Sequence, residues 1–308
     1  MLYFIVNPSA GGGRGLRVWN ATEAYLNKRH FQYRVSFTSA SGDAKRMAQE
    51  LTETCREERC IIAVGGDGTI NEVADGLSFS CPVVLGFLPA GSGNDLGRGM
   101  GLPAGTKRLL EHLFDKGEVR SYDYGVMSCG CTECRNRRFL VSSGIGFDAA
   151  VCQTLLSSRK SMGGRGIRVG KLSYLLAGIY EFLRAKPVRG YLLLDGTKKI
   201  EFNHILFISV HIHPSEGGGF QFAPQADPQD GKLAICVMSS KNKFRLIPTL
   251  LDARRRFSGA CRGVRFYECR EAHIHTEQPL AVHTDGEACR RQTDIDVRCV
   301  EKQLRMLS

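Results

Sequence analysis

The sequence predicts two domains of different class, an α/β unit with a parallel sheet over residues 1–122 and a mainly antiparallel β unit over residues 123–292. Three observations predict this. A chain of 308 residues is long for one core, since domains commonly run about 100–200 residues. The first third repeats an apolar strand-like run, a glycine-containing turn and a segment of helical periodicity, the pattern of a parallel sheet flanked by helices. After about Arg120 the texture changes to short strand-like runs separated by Gly, Asp and Asn turns. Residues from about 293 to 308 are expected to return to the first domain.

The elements follow in order. Leu2 to Val6 reads as a strand leading into Asn7-Pro8-Ser9-Ala10-Gly11-Gly12-Gly13, then a helix from Leu16 to Lys28. Tyr33 to Thr38 precedes a helix from Asp43 to Cys55. Cys60 to Val64 runs into Gly65-Gly66-Asp67-Gly68-Thr69, and Val83 to Leu88 into Pro89-Ala90-Gly91-Ser92-Gly93-Asn94-Asp95. In the second half, Phe139 to Ser143, Gly190 to Leu194, His204 to His213, Lys232 to Met238 and Pro279 to Val282 read as strands, and Leu172 to Arg184 and Phe244 to Phe257 as helices.

Composition narrows the function. Hydrophobic residues at 43% with 24% charged exclude a disordered or fibrous chain. No run approaches the roughly 18–20 apolar residues that span a bilayer, and no charged leader precedes the first strand, so a cytoplasmic protein is expected. The 12 cysteines then read as reduced thiols. A net charge of +11 favours anionic partners: nucleotide, anionic lipid or nucleic acid. Nucleic acid is set aside, because no helix-turn-helix, zinc-finger or basic-aromatic groove pattern is present.

Three glycine-rich turns, each after a strand, would gather at the carboxyl edge of a doubly wound sheet, where ligands bind. Glycine lets backbone N–H groups approach phosphate oxygens, and the helix that follows adds its positive end. None of the three is a P-loop or a dinucleotide fingerprint. Asp67 sits between glycines, where a carboxylate reaches a magnesium ion or an ordered water; Asn71 and Glu72 follow, with helix capping as their plainer role.

Val64-Gly-Gly-Asp-Gly-Thr-Ile-Asn-Glu-Val73, with Asn7-Pro8 and Pro89-Ala-Gly-Ser-Gly-Asn-Asp-Leu96, resembles the signature of the diacylglycerol kinase catalytic-domain family, related to sphingosine and ceramide kinases and more distantly to NAD kinases and phosphofructokinases. The resemblance implies a NAD kinase/phosphofructokinase-like first domain and an ATP site lined by Asn7, Pro8, Ser9, Ala10, Gly11, Thr38, Gly66, Asp67, Gly68, Thr69, Ile70, Asn71, Glu72 and Ser92. Arg98 would clamp the transferring phosphate. Related bacterial enzymes often carry a lysine in the first loop, where this chain has Gly12 with Arg14 nearby.

Asp285-Gly286-Glu287 is similar to the Asp-Gly-Glu of bacterial diacylglycerol kinases, which implies Glu287 as general base; on the residues alone it is an Asp-Gly hairpin turn. Phosphoryl transfer to an alcohol needs such a base. The same resemblance implies that Asp123 joins Asp67 and Asp285 in a magnesium and water network. It also implies that the stretch from Ala223 to Leu233 holds a structural magnesium through the Asp230 side chain and the carbonyls of Asp227 and Lys232.

Other signals carry less. Cys129, Cys131 and Cys134 cluster three thiols where zinc could bind, whereas a structural zinc site normally wants four ligands in clear pairs, so a reduced, cysteine-rich hairpin is the expectation. His211 with His213, and His273 with His275, share strand faces without an evident third ligand. The basic segment from Arg159 to Lys171 before an apolar-striped helix suits an anionic bilayer or a solvated loop. The expectation is an ATP- and magnesium-dependent lipid kinase with diacylglycerol as acceptor, cytoplasmic and peripherally attached to an anionic membrane; homodimerisation is implied by the family. A NAD kinase-like enzyme and a catalytically silent nucleotide-binding regulator are the alternatives.

Overall fold

A computed structural model describes residues 1–130, 136–161, 171–253 and 263–308. The chain divides into one unit of residues 1–122 with 302–308 and a second of residues 123–301.

In the first unit, β1 (Leu2–Val6), β2 (Tyr33–Phe37), β3 (Arg59–Gly65) and β4 (Val83–Pro89) form a parallel sheet in the order β4-β3-β1-β2. Alternate residues face opposite sides. Phe4, Val6, Ile62, Val64 and Leu88 pack under α1 (Ala10–Lys28) and α5 (Thr106–Asp115) through Trp19, Leu26, Leu109 and Leu113. Ile5, Ile61 and Ala63 are fully buried on alternate positions, and α2 (Asp43–Thr52) and α3 (Asp67–Gly76) pack together. Within α1, Gly11, Gly12 and Gly13 take positive φ, so the regular helix begins after them.

The order reverses between β1 and β3, because the chain leaves β1 toward β2 on one side and reaches β4 on the other. In such sheets ligands bind outside the carboxyl ends at this point. Short α4 (Asp95–Gly99) follows the β4 loop.

The second unit is dominated by antiparallel pairing. Its strands are β5 (Val119–Cys129, beginning in the first unit), β6 (Arg137–Phe139), β7 (Ser142–Gly146), β8 (Val188–Leu194), β9 (Lys198–His211), β10 (Leu233–Ser239), β11 (Val264–Cys269), β12 (Glu271–Thr284) and β13 (Glu287–Leu307). The order runs β11-β10-β9-β7-β12-β13. The long strands β9 and β12 are joined by β7 at one end and β8 at the other. Phe139, Ile145, Leu192, Ile208, Ile235, Ile274, Val282 and Ile295 belong to its core. Two helices, α6 (Phe147–Ser161) and α7 (Lys171–Arg184), pack against each other.

Several expected boundaries move, for identifiable reasons. The strand expected from Phe139 to Ser143 is broken between β6 and β7, where the amides of Leu140, Val141 and Ser142 leave the ladder for the Asp285 carboxylate. The helix expected from Phe244 begins as a 3-10 turn over Lys243–Leu246 and becomes α8 (Ile247–Asp252). Pro248, which lacks an amide proton, is accommodated at that helix start. Residues 254–262, including Arg254, Arg255 and Arg256, lie outside the described residues, as do Cys131, Cys134 and most of the basic segment before α7. The C-terminal return to the first unit begins at Lys302 rather than near 293, and Lys302 takes a left-handed φ of 49° at that point.

Candidate active site

The three glycine turns of the first unit meet at the carboxyl ends of β1, β3 and β4. Asn7, after β1, accepts no freedom of its own: its amide donates to the Val64 carbonyl at 2.9 Å, and its side chain donates to Thr69 Oγ1 at 3.2 Å. That pair bridges the reversal point. Arg14 Nε donates to the Ala90 carbonyl at 3.1 Å, tying the first turn to the third. The approach is close enough to exclude side chains, since a Cβ on Gly91 would stand 2.6 Å from the Gly66 Cα and one on Gly11 2.2 Å from the Ala90 oxygen. Glycine is required there by contact.

Asp67 opens α3, and its Oδ1 accepts from the Leu96 amide at 3.2 Å. A Cβ on Gly93 would lie 3.0 Å from Asp67 Oδ2, so this carboxylate lies against the third turn. Glu72 Oε1 accepts from the Gly42 amide at 3.0 Å and from Ser41 Oγ at 3.1 Å, which holds the turn before α2. Thr38 donates its amide to the Val6 carbonyl. Ile70 and Asn71 are buried, whereas Ser92 is exposed. Arg98 pairs with Asp95 and donates to the Gly93 carbonyl at 2.9 Å, within its own loop.

In the second unit, β12 turns into β13 through a two-residue hairpin: Thr284 pairs with Glu287, and Asp285 and Gly286 have φ of 47° and 80°. Two successive positive φ values are the signature of a type I′ turn, for which Asp-Gly is a favoured pair. The Asp285 carboxylate accepts from the amides of Leu140 at 2.7 Å, Val141 at 2.8 Å and Ser142 at 2.9 Å. It therefore clamps the turn to the β6–β7 junction, while the half-buried Glu287 starts β13.

Asp123 is buried. Its amide donates to the Pro228 carbonyl at 2.8 Å and its Oδ2 accepts from the Gly231 amide at 2.7 Å. Asp123 thus fastens the loop of residues 227–232, in which Asp227 Oδ1 accepts from Gln229 and Asp230 Oδ1 from Lys232. Exposed carboxylate and carbonyl oxygens of this kind fit a hard cation that keeps several waters.

Sequence reasoning missed a buried cluster beside the hairpin. Among the described residues, Asp148, Glu216 and His283 have ligand-type atoms all within 4.8 Å of one another. His283 Nε2 lies 3.2 Å from Asp148 Oδ2, and the Gly286 amide donates to His283 Nδ1 at 3.2 Å. The ring is neutral in this arrangement, with its hydrogen on Nε2, because an N–H can only donate. Burial would lower the His283 pKa, but the hydrogen bond and charge of Asp148, with Glu216 and Asp285, outweigh it and raise it. Burial, then the charges of Asp148, Glu216 and Glu287, pushes the Cys152 thiol far up. The available signal was proximity in sequence: His283, near the end of β12, sits two residues before Asp285 in the turn. No spacing links it to Asp148, 135 residues earlier.

Residues 1–127 match the diacylglycerol kinase catalytic domain, and residues 141–308 match the YegS C-terminal NAD kinase beta sandwich-like domain. The chain belongs to the diacylglycerol kinase-type lipid kinase family. A protein of Bacillus subtilis (strain 168), provisionally named the lipid kinase YtlR, is 28% identical over 292 residues, covering 92% of each chain. The diacylglycerol kinase of Mycobacterium tuberculosis (strain H37Rv) is 27% identical over 294 residues, covering 92% of this chain and 88% of its own. A structure from Bacillus anthracis str. Sterne, provisionally titled a diacylglycerol kinase, superimposes with a TM-score of 0.78 at 23% identity, over 99% of this chain and 96% of that one, a likeness of fold.

For this lipid kinase chain His273, His275 and His211 are hydrogen-bonded strand residues, and His213 is buried just beyond the end of β9. His273 Nδ1 lies 2.8 Å from Asp296 and His275 Nδ1 2.7 Å from Asp294, while His211, wholly buried, contacts Ser209 Oγ at 2.9 Å. The nine described cysteines are free thiols. No helix among the described residues is long and apolar enough to cross a membrane.

Proposed function

We propose that this lipid kinase transfers the γ-phosphate of ATP to the free hydroxyl of diacylglycerol, giving phosphatidic acid, at an anionic membrane surface. One observation carries the reading: three glycine turns packed against one another around Asp67, at the reversal point of a parallel sheet. Such a frame presents backbone N–H groups to a polyphosphate. The relatives named diacylglycerol kinase support the acceptor.

In this reading the first-unit turns hold the ATP phosphates. Glu287 accepts the proton of the lipid hydroxyl as its oxygen bonds to the γ-phosphorus and the bond to ADP breaks. Asp285 holds the hairpin and Asp123 the 227–232 loop. Arg98 would leave its partners on the third turn to meet the phosphoryl oxygens. Magnesium, when bound, supplies positive charge to the phosphates; Asp67 would face the ATP-bound ion, and Asp230 with the carbonyls of Asp227 and Lys232 would hold a structural one.

A surface on the second unit supports membrane contact. Leu176, Ile179, Tyr180 and Leu183 recur at helical spacing on α7 and are exposed, whereas Ala177 and Phe182 between them are buried. Phe244, Ile247 and Leu251 are exposed as well; Phe244 meets Phe182 at 5.9 Å, and Lys243 donates to the carbonyls of Leu183 and Ala185. An apolar patch with Arg184, Lys243 and Arg245 beside it suits anionic lipid.

The test is transfer of labelled γ-phosphate from ATP with magnesium to mixed micelles of diacylglycerol, sphingosine or phosphatidylglycerol, with NAD in parallel. Labelled phosphatidic acid that vanishes with Glu287→Gln is expected. Label on another acceptor alone overturns diacylglycerol, and an unimpaired Glu287→Gln overturns the base.

A further inference from the structure

The hairpin that carries Glu287 is held from two sides, and only one of them was visible in the sequence. Asp285 secures it through the β6–β7 amides. On the other side, Gly286, the second of the two central residues of the turn, donates its amide to His283 Nδ1, and the His283 ring in turn meets Asp148 Oδ2 in the first turn of α6. Both side chains are more than nine-tenths buried, at 3% and 8% exposure. The space is shaped for the pair: a Cβ on Gly144, opposite His283 on β7, would stand 2.1 Å from Asp148 Oδ2 and 2.8 Å from His283 Nε2.

We propose that Asp148 and His283 form a positioning pair that fixes the Gly286 peptide, and through it the direction in which Glu287 leaves the turn. This deepens the reading of Glu287 as general base and rests on it for its catalytic consequence. A base must stand within hydrogen-bond reach of the proton it takes, and the Gly286 amide that His283 accepts from belongs to the peptide between the two left-handed residues of the turn. Asp148 fixes the ring and its tautomer in the way a carboxylate orients a catalytic histidine.

A metal ion held by Asp148, Glu216 and His283 is the rival use of the same atoms, and Asp148 Oδ1 is buried without a hydrogen-bond partner. The geometry disfavours it. A metal on Nε2 needs that lone pair and leaves the hydrogen on Nδ1, where the Gly286 N–H already points.

The test compares His283→Ala, His283→Asn and His283→Gln in the full chain, with Glu287→Gln alongside. The Asn amide oxygen stands near the position of Nδ1 and can still accept from Gly286; Gln reaches toward Asp148 instead. Expected for His283→Ala is a fall in kcat of about 10- to 100-fold, the scale of an ångström-size misplacement, with KM for ATP within about twofold. His283→Asn should recover most of that loss and His283→Gln little.

Hydrogen exchange of the peptide spanning residues 283–290 gives a readout independent of activity. It should accelerate in His283→Ala and not in His283→Asn. Unchanged exchange and kcat in His283→Ala, or Asn as impaired as Ala by both measures, overturns the positioning pair. A copurifying transition metal that Glu216→Gln abolishes also overturns it. An active Glu287→Gln with the exchange pattern as expected removes the base and leaves the pair's hold on the turn standing.

Discussion

Replacing Asp285 by Asn separates a structural carboxylate from a reacting one. The two oxygens of Asp285 accept from three amides: Oδ1 from Val141 and Ser142, Oδ2 from Leu140. An Asn oxygen at the Oδ1 position keeps two of these bonds, now without the charge. Its NH2 group then faces the Leu140 N–H, donor against donor. A hydrogen bond to a charged group contributes about 1.5–3 kcal/mol, and an unmatched buried donor costs about 1–3 kcal/mol. Because the turn is half-exposed and water can satisfy part of the deficit, about 3 kcal/mol is expected in total. At about 2–4 °C per kcal/mol for a domain of this size, the melting transition of the second unit should fall by roughly 6–12 °C. Scanning calorimetry measures it, and Asp285→Ala should fall further. A melting temperature within about 1 °C of the parent, whatever happens to activity, would refute the clamp.

Three further outcomes follow from separate parts of the molecule. Gly91→Ala places a Cβ 2.6 Å from the Gly66 Cα, so binding of a non-hydrolysable ATP analogue should weaken by about tenfold or more, equivalent to about 1.4 kcal/mol; unaltered titration calorimetry would remove the close approach as a requirement. Burial lowers the His211 pKa from 6.5 to about 3, so the unfolded chain binds the extra proton first. Its share of stability is present above about pH 6.5 and is lost as pH falls toward the folded value, amounting to about 1.4 kcal/mol by pH 5.5. Urea unfolding at several pH values should show a shallower acid slope for His211→Asn, and an unchanged slope would contradict the assignment. Leu183→Glu with Leu251→Glu, at residues 61% and 65% exposed, should leave the fold intact and weaken sedimentation with phosphatidylglycerol vesicles by about tenfold or more, from about 1.5 kcal/mol of apolar burial per side chain. Retention of vesicle binding would move the contact elsewhere.

Local sequence determined much of the first unit. A buried parallel strand followed by glycines and a helix is a short-range pattern, and the boundaries of β1 and β2 lie within a residue of expectation because alternation and turn chemistry both act over a few residues. The Asp-Gly hairpin was legible for the same reason: two left-handed residues suit that dipeptide. Tertiary structure decided what those segments do to one another. The break between β6 and β7 comes from a carboxylate 143 to 145 positions later in the chain, and no periodicity reports such a partner. The neighbours of His283, likewise, are set by the packing of α6 on β12 and by the absence of a side chain at Gly144. Hydrophobic period and turn residues are properties of adjacent residues and can be read in line; hydrogen-bond partners of buried polar groups are properties of the folded arrangement, because only folding removes the water that would otherwise satisfy them.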